Sequence, residues 1–158
     1  MANQGDKYTH VYKWLKDGST VEANVNGASV AKVYKYEVAA TRTLSLERMI
    51  VYIKDTGTFD ADLYGNGAIL GNGILVSVEY ADGTSLDLLD GEPVKTNSHW
   101  AALCHDVTYH DIGTGDNIAT VRWTFGRAGA PLILEVGDSI EVTIQDNLTV
   151  LTGQRFQI

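Results

Sequence analysis

The chain has 158 residues, 44% hydrophobic and 20% charged, a balance that suits one ordered globular domain and leaves little room for two. Its net charge of −8 repels phosphate backbones and anionic headgroups, so nucleic-acid and membrane-surface binding are disfavoured. The single cysteine, Cys104, permits no intrachain disulfide, the opening MANQGDKYTH lacks the apolar core of a signal peptide, and no stretch approaches the roughly 20 apolar residues of a membrane helix. Folding inside a cell is the expectation.

Residues 1–31 are rich in Gly, Asn, Ser and Asp, with the apolar Tyr8, Val11, Tyr12, Trp14 and Leu15 bunched together and Lys7, Lys13 and Lys16 between and around them. They read as an N-terminal arm ahead of a domain spanning residues 32–158. Trp and Tyr are favoured interface anchors, and lysines suit an acidic partner surface, so Tyr8, Tyr12, Lys13, Trp14 and Lys16 are the candidate partner-binding residues. An equally simple reading has Trp14 capping one end of the core. On the arm reading, removal of residues 1–16 leaves a folded domain.

From Lys32 onward the pattern is that of short strands. Tyr34, Tyr36 and Val38 alternate with Lys35 and Glu37; Ile74, Val76, Val78 and Tyr80 with Ser77 and Glu79; Val121, Trp123 and Phe125 with Arg122 and Thr124; and Ile140, Val142 and Ile144 with Glu141, Thr143 and Gln145. The unbroken apolar run at residues 49–53 predicts a central strand covered on both faces, and residues 132–136 and 156–158 are further strand candidates. Turn dipeptides punctuate the chain at Asp17-Gly18, Asn26-Gly27, Asn66-Gly67, Asn72-Gly73, Asp82-Gly83 and Asp90-Gly91. One short helix is expected over residues 97–104, after a cap-like Asn97 or Ser98. Seven to nine strands of this kind predict an all-β, antiparallel two-sheet sandwich, jelly-roll-like in topology.

No pattern specifies catalysis. His99, His105 and His110 lie near Asp106 and Asp111, but in a strand His105 and His110 face opposite ways, and no i, i+4 histidine pair stands ready to chelate zinc. Asp55, Asp60 and Asp62 suggest a calcium loop. An EF-hand register fails at Tyr64 and Gly71, which leaves only an irregular loop of the lectin kind. The glycine-rich residues 65–73 lack the lysine and the strand-to-helix step of a nucleotide cradle and read as turns. Cys104, among Ala101, Ala102 and Leu103, reads as a packed small residue, and no serine occupies a nucleophile elbow. The expectation is therefore a non-enzyme with no metal and no cofactor.

Four stretches, residues 48–53, 95–100, 121–125 and 137–142, followed by Gln145-Asp146-Asn147-Leu148-Thr149, resemble small virion proteins of tailed bacteriophages. The likeness runs from about Asp17 to the C-terminus, and its motifs are structural, so no functional residues are carried over. It implies a jelly-roll-like building block of a particle, a decoration or cement protein bound to the major capsid protein. Such a protein would assemble in the host cytoplasm and reside in the virion. A homotrimer is expected because closed symmetry covers exposed sheet edges. The competing expectations are a tail, adaptor or head-fibre component, and a carbohydrate-binding module using Tyr64, Trp100 and Tyr109.

Overall fold

The alternating segments become strands because each can bury one row of side chains while leaving the other in water. The computed structural model describes residues 11–103, 106–111, 116–125 and 131–158. Among these residues the strands are β1 (Lys32–Glu37), β2 (Leu44–Leu46), β3 (Arg48–Asp55), β4 (Ile74–Glu79), β5 (Ser85–Asp87), β6 (Asp106–Asp111), β7 (Asn117–Thr124), β8 (Leu132–Leu134), β9 (Ser139–Ile144) and β10 (Gly153–Gln157). A single short helix, α1 (Asn97–Leu103), precedes β6.

Two four-stranded antiparallel sheets form, ordered β1-β9-β4-β5 and β10-β3-β7-β6, with a small β2-β8 ribbon beside them. The expected all-β two-sheet sandwich is what the chain adopts. Tyr34, Val76, Val78, Ile140, Val142 and Ile144 of the first sheet meet Met49, Val51, Ile53, Val121, Trp123 and Phe156 of the second in one core. Tyr34 and Phe156 touch across it, with ring centroids 6.5 Å apart. The apolar run at residues 49–53 is the inner strand β3, held between β10 and β7 as its composition predicted, with Ile50 buried on the outer face as well.

The described part of the segment expected to be an arm, residues 11–31, lies along one side of this sandwich. Lys13 N–H donates to Ile158 O (2.8 Å), Ile158 N–H to Lys13 O (2.9 Å) and Leu15 N–H to Phe156 O (3.0 Å), which extends the second sheet beyond β10. Lys16 and Lys35 then exchange backbone bonds of 3.1 and 3.0 Å, so the same few residues cross to the first sheet beside β1. Alternation sends Leu15 into the core, where it is fully buried, and Ala23 follows it there. The edge of β10 is thereby covered and that of β1 is met at Lys35, with β5 and β6 the outer strands at the other end of each sheet. Leu15 argues against the expectation that residues 1–16 can be removed without loss of fold.

Two of the turn glycines act for different reasons. Gly83, at φ +87°, closes the β4–β5 hairpin, in which Tyr80 N–H donates to Thr84 O (2.9 Å) and Asp82 Oδ1 accepts from Thr84 N–H (2.9 Å). Gly27 has an ordinary φ but is required by close approach, because a Cβ there would lie 2.2 Å from Ile144 O.

Candidate functional site

The candidate partner-binding residues begin at Tyr8, which lies outside the described residues. The other four fall on the strand-like segment that pairs with β10 and then, at Lys16, with β1. Tyr12 is 59% exposed and is held from below by Arg48, whose Nη2 donates to the phenol oxygen at 3.0 Å while the guanidinium sits 5.6 Å from the ring centroid. Trp14 is half-buried, its ring tilted at 50° against Tyr52 with centroids 5.6 Å apart. Because Met49, Val51 and Ile53 point into the core, Tyr52 is on the outer face of β3, and Trp14 covers that face instead of capping the end of the core.

Lys16 is exposed and Lys13 half-buried, and among the described residues neither has an ion-pair partner. Backbone pairing thus orders Tyr12, Lys13, Trp14 and Lys16 along one segment, with Tyr12 and Trp14 on its outer side and Lys13 on the side of Leu15. The structure adds Arg48 and Tyr52 from β3 and Arg155 from β10. Arg155 lies 6.0 Å from the Trp14 ring centroid and its Nε donates to Glu22 Oε1 at 2.6 Å. Glu22 and Arg155 are 133 positions apart, so no sequence spacing could have paired them. Tyr52 left a faint signal, as the polar-tipped member of an otherwise apolar run.

The acidic loop and the histidines have local uses. Asp55 is buried and its carboxylate accepts from Thr56 N–H (2.8 Å) and from Asn66 N–H, while Asp60 Oδ1 accepts from Asp62 N–H (2.7 Å). These carboxylates shape the loop between β3 and β4. His99 Nδ1 accepts from Lys95 N–H (3.0 Å), His110 is exposed on β6, and Asp106 pairs with Arg122 at 2.5 Å. Among the described residues no three His, Cys, Asp or Glu side chains are grouped for a metal ion. Cys104 and His105 lie outside the described residues, as does the Asp111 side chain.

Asn97, read as a cap, ties α1 to the same loop. Its side-chain nitrogen donates to Asp60 O (2.6 Å) and Gly65 O (3.0 Å), and its oxygen accepts from Gly65 N–H (3.0 Å). Behind it, Tyr64 and Trp100 are buried, so neither offers the surface platform expected of a carbohydrate-binding module; Tyr109 is 51% exposed and packs on Phe59. The Tyr64 hydroxyl accepts from Trp100 Nε1 (3.3 Å) and donates to Gln154 Oε1 (2.5 Å). Burial pushes the Tyr64 phenol above its ordinary range, only partly offset by the bond from Trp100. Tyr34 is pushed up to about 12, first by burial and then by the charges of Asp17 and Glu22.

The glycine-rich loop turns out to cradle an anion from the chain itself. Asp146 Oδ1 accepts from Gly71 N–H (3.1 Å), and Oδ2 accepts from Asn72 N–H (3.1 Å) and Gly73 N–H (2.6 Å). The residues read as turns between strands are that, and they also lock the β9–β10 connection to the loop before β4. In sequence Asp146 stands out only as part of the closing hairpin, because an aspartate beside an Asn carries no signature of a partner loop 73–75 positions away.

No protein-family profile matches this sequence, and no curated protein matches it significantly.

Proposed function

We propose that this jelly-roll-like sandwich is a virion structural protein of a tailed bacteriophage, a decoration or cement protein that binds and reinforces the major capsid lattice. The observation that carries the reading is exposed Tyr12, held by Arg48, on the same ordered segment as Lys13 and Lys16, which have no ion-pair partner among the described residues, on a chain whose net charge is −8. A cationic, aromatic segment on an acidic protein suits an acidic patch on a partner, and its backbone is already fixed, so little ordering entropy is lost on docking. The resemblance of residues 48–53, 95–100, 121–125 and 137–149 to phage virion proteins supplies the particle. A homotrimer on the lattice is part of the proposal.

The test is rebinding to particles stripped of the native copy. Tyr12→Ala combined with Lys16→Glu leaves Leu15 and Trp14 in place, so the fold is kept. Loss of an interface aromatic commonly costs about 2 kcal/mol, or roughly a 30-fold weaker Kd. Rebinding of the double variant at wild-type affinity refutes the segment as the contact.

A further inference from the structure

Beyond the particle contact, we propose that a groove on the outer face of the second sheet binds an uncharged carbohydrate chain. The groove has a volume of about 590 Å³, in the range of sites that hold a di- or trisaccharide-sized ligand. Its floor is the outer face of three neighbouring strands, with Gly153 of β10, Tyr52 of β3 and Ile118 of β7, and Trp14, Glu22 and Asn24 line it from the segment paired to β10.

Three features select the ligand class. Trp14 and Tyr52 stand 5.6 Å apart at 50°, an aromatic corner whose faces suit the C–H face of a sugar ring, and the Tyr52 hydroxyl is steadied by donating to Gln157 Oε1 (3.3 Å). The charged groups that line the groove are already paired, Arg155 with Glu22 and Lys54 with Asp116 at 3.1 Å. An anionic ligand has to break or outbid those pairs. A hydroxyl, which both donates and accepts, can bridge the carboxylate and the guanidinium of an existing pair. Finally, Gly153 keeps the floor open: a Cβ there would have no neighbour closer than 3.8 Å.

That last feature gives a clean perturbation. Gly153→Val has ordinary backbone requirements, its Cβ meets no clash, and its γ-methyl groups extend from the outer face into the groove and away from the core. The full chain is probed with an array of neutral glycans, and then titrated with maltotriose, cellotriose and chitotriose while the three tryptophan indole N–H signals are followed by NMR. The expected result is saturable binding of at least one neutral glycan in about the millimolar range or tighter, moving the Trp14 signal and leaving those of the buried Trp100 and Trp123 in place. Gly153→Val should weaken that binding by about 10-fold or more at an unchanged melting temperature. Should that variant fail to fold, Tyr52→Leu removes one ring of the corner and carries the same expected loss. No neutral glycan bound, binding unaffected by the substitution, or stronger binding of sulfated than of neutral glycans each overturns the proposal. The titration uses the isolated chain, so its failure leaves the particle contact standing, and failure of rebinding leaves the groove standing.

Discussion

Replacing Leu15 with Ala is the sharpest test of whether the N-terminal segment belongs to the core. Leu15 is fully buried, its N–H is bonded to Phe156 O, and its neighbour Lys16 is bonded twice to Lys35, so the backbone around it is fixed from both sheets and has little freedom to collapse into a cavity. Buried Leu→Ala changes cost about 2–5 kcal/mol, and a site that cannot relax belongs in the middle or upper part of that range, about 3–4 kcal/mol. For a domain of this size each kcal/mol moves the melting temperature by about 2–4 °C, so a drop of roughly 6–16 °C is expected in a thermal melt followed by circular dichroism. A chain beginning at residue 17 loses the same side chain and five backbone hydrogen bonds as well, and should not fold stably. A change of less than about 2 °C for Leu15→Ala, or a native melt for the shortened chain, would falsify the placement of this segment.

Other outcomes follow from the same geometry. Asp146→Ala strips three backbone N–H groups of a charged acceptor and should cost about 2–4 kcal/mol by urea unfolding, whereas Asp146→Asn, which keeps one acceptor oxygen, should lose less. Gly27→Ala pushes a methyl group into Ile144 O and should cost about 1–3 kcal/mol in the same assay; a neutral result contradicts the close approach. The contribution of Tyr34 and Tyr64 to stability should be level up to about pH 10 and fall above it. There the unfolded chain loses phenolic protons that Tyr34 and Tyr64 retain when folded, so the unfolded state binds fewer protons and gains. Melts at alkaline pH check this, and Tyr64→Phe should flatten the decline; an unchanged slope argues against its burial as the cause.

The parts of the fold written in short-range pattern were legible. Val76 and Val78 face inward and Ser77 and Glu79 outward, as period-two alternation requires, and the apolar run at residues 49–53 is an inner strand. The short helix was placed to within a residue. What escaped were long-range pairings. Leu15 sits in a polar, glycine-containing stretch with no alternation of its own, and it is drawn into the core by bonds to residues more than 140 positions away. Tyr64 and Trp100 resembled surface aromatics because their loop is rich in Gly, Asp and Asn, yet Asn97 and Asp55 fold that loop back over them. The segment was half readable. Its residue types were apparent in sequence, while the Arg48 support under Tyr12 and the groove beside Trp14 depend on β3 and β10 arriving together.

The measurement that bears most directly on the proposed particle role is cryo-electron microscopy of virus particles purified with this chain bound, with the copies counted and their orientation resolved. The account predicts copies distributed over the capsid with the symmetry of its lattice, grouped in threes, and residues 12–16 turned toward an acidic face of the major capsid protein. Copies confined to the tail or portal vertex, or residues 12–16 facing away from every neighbour, would contradict it.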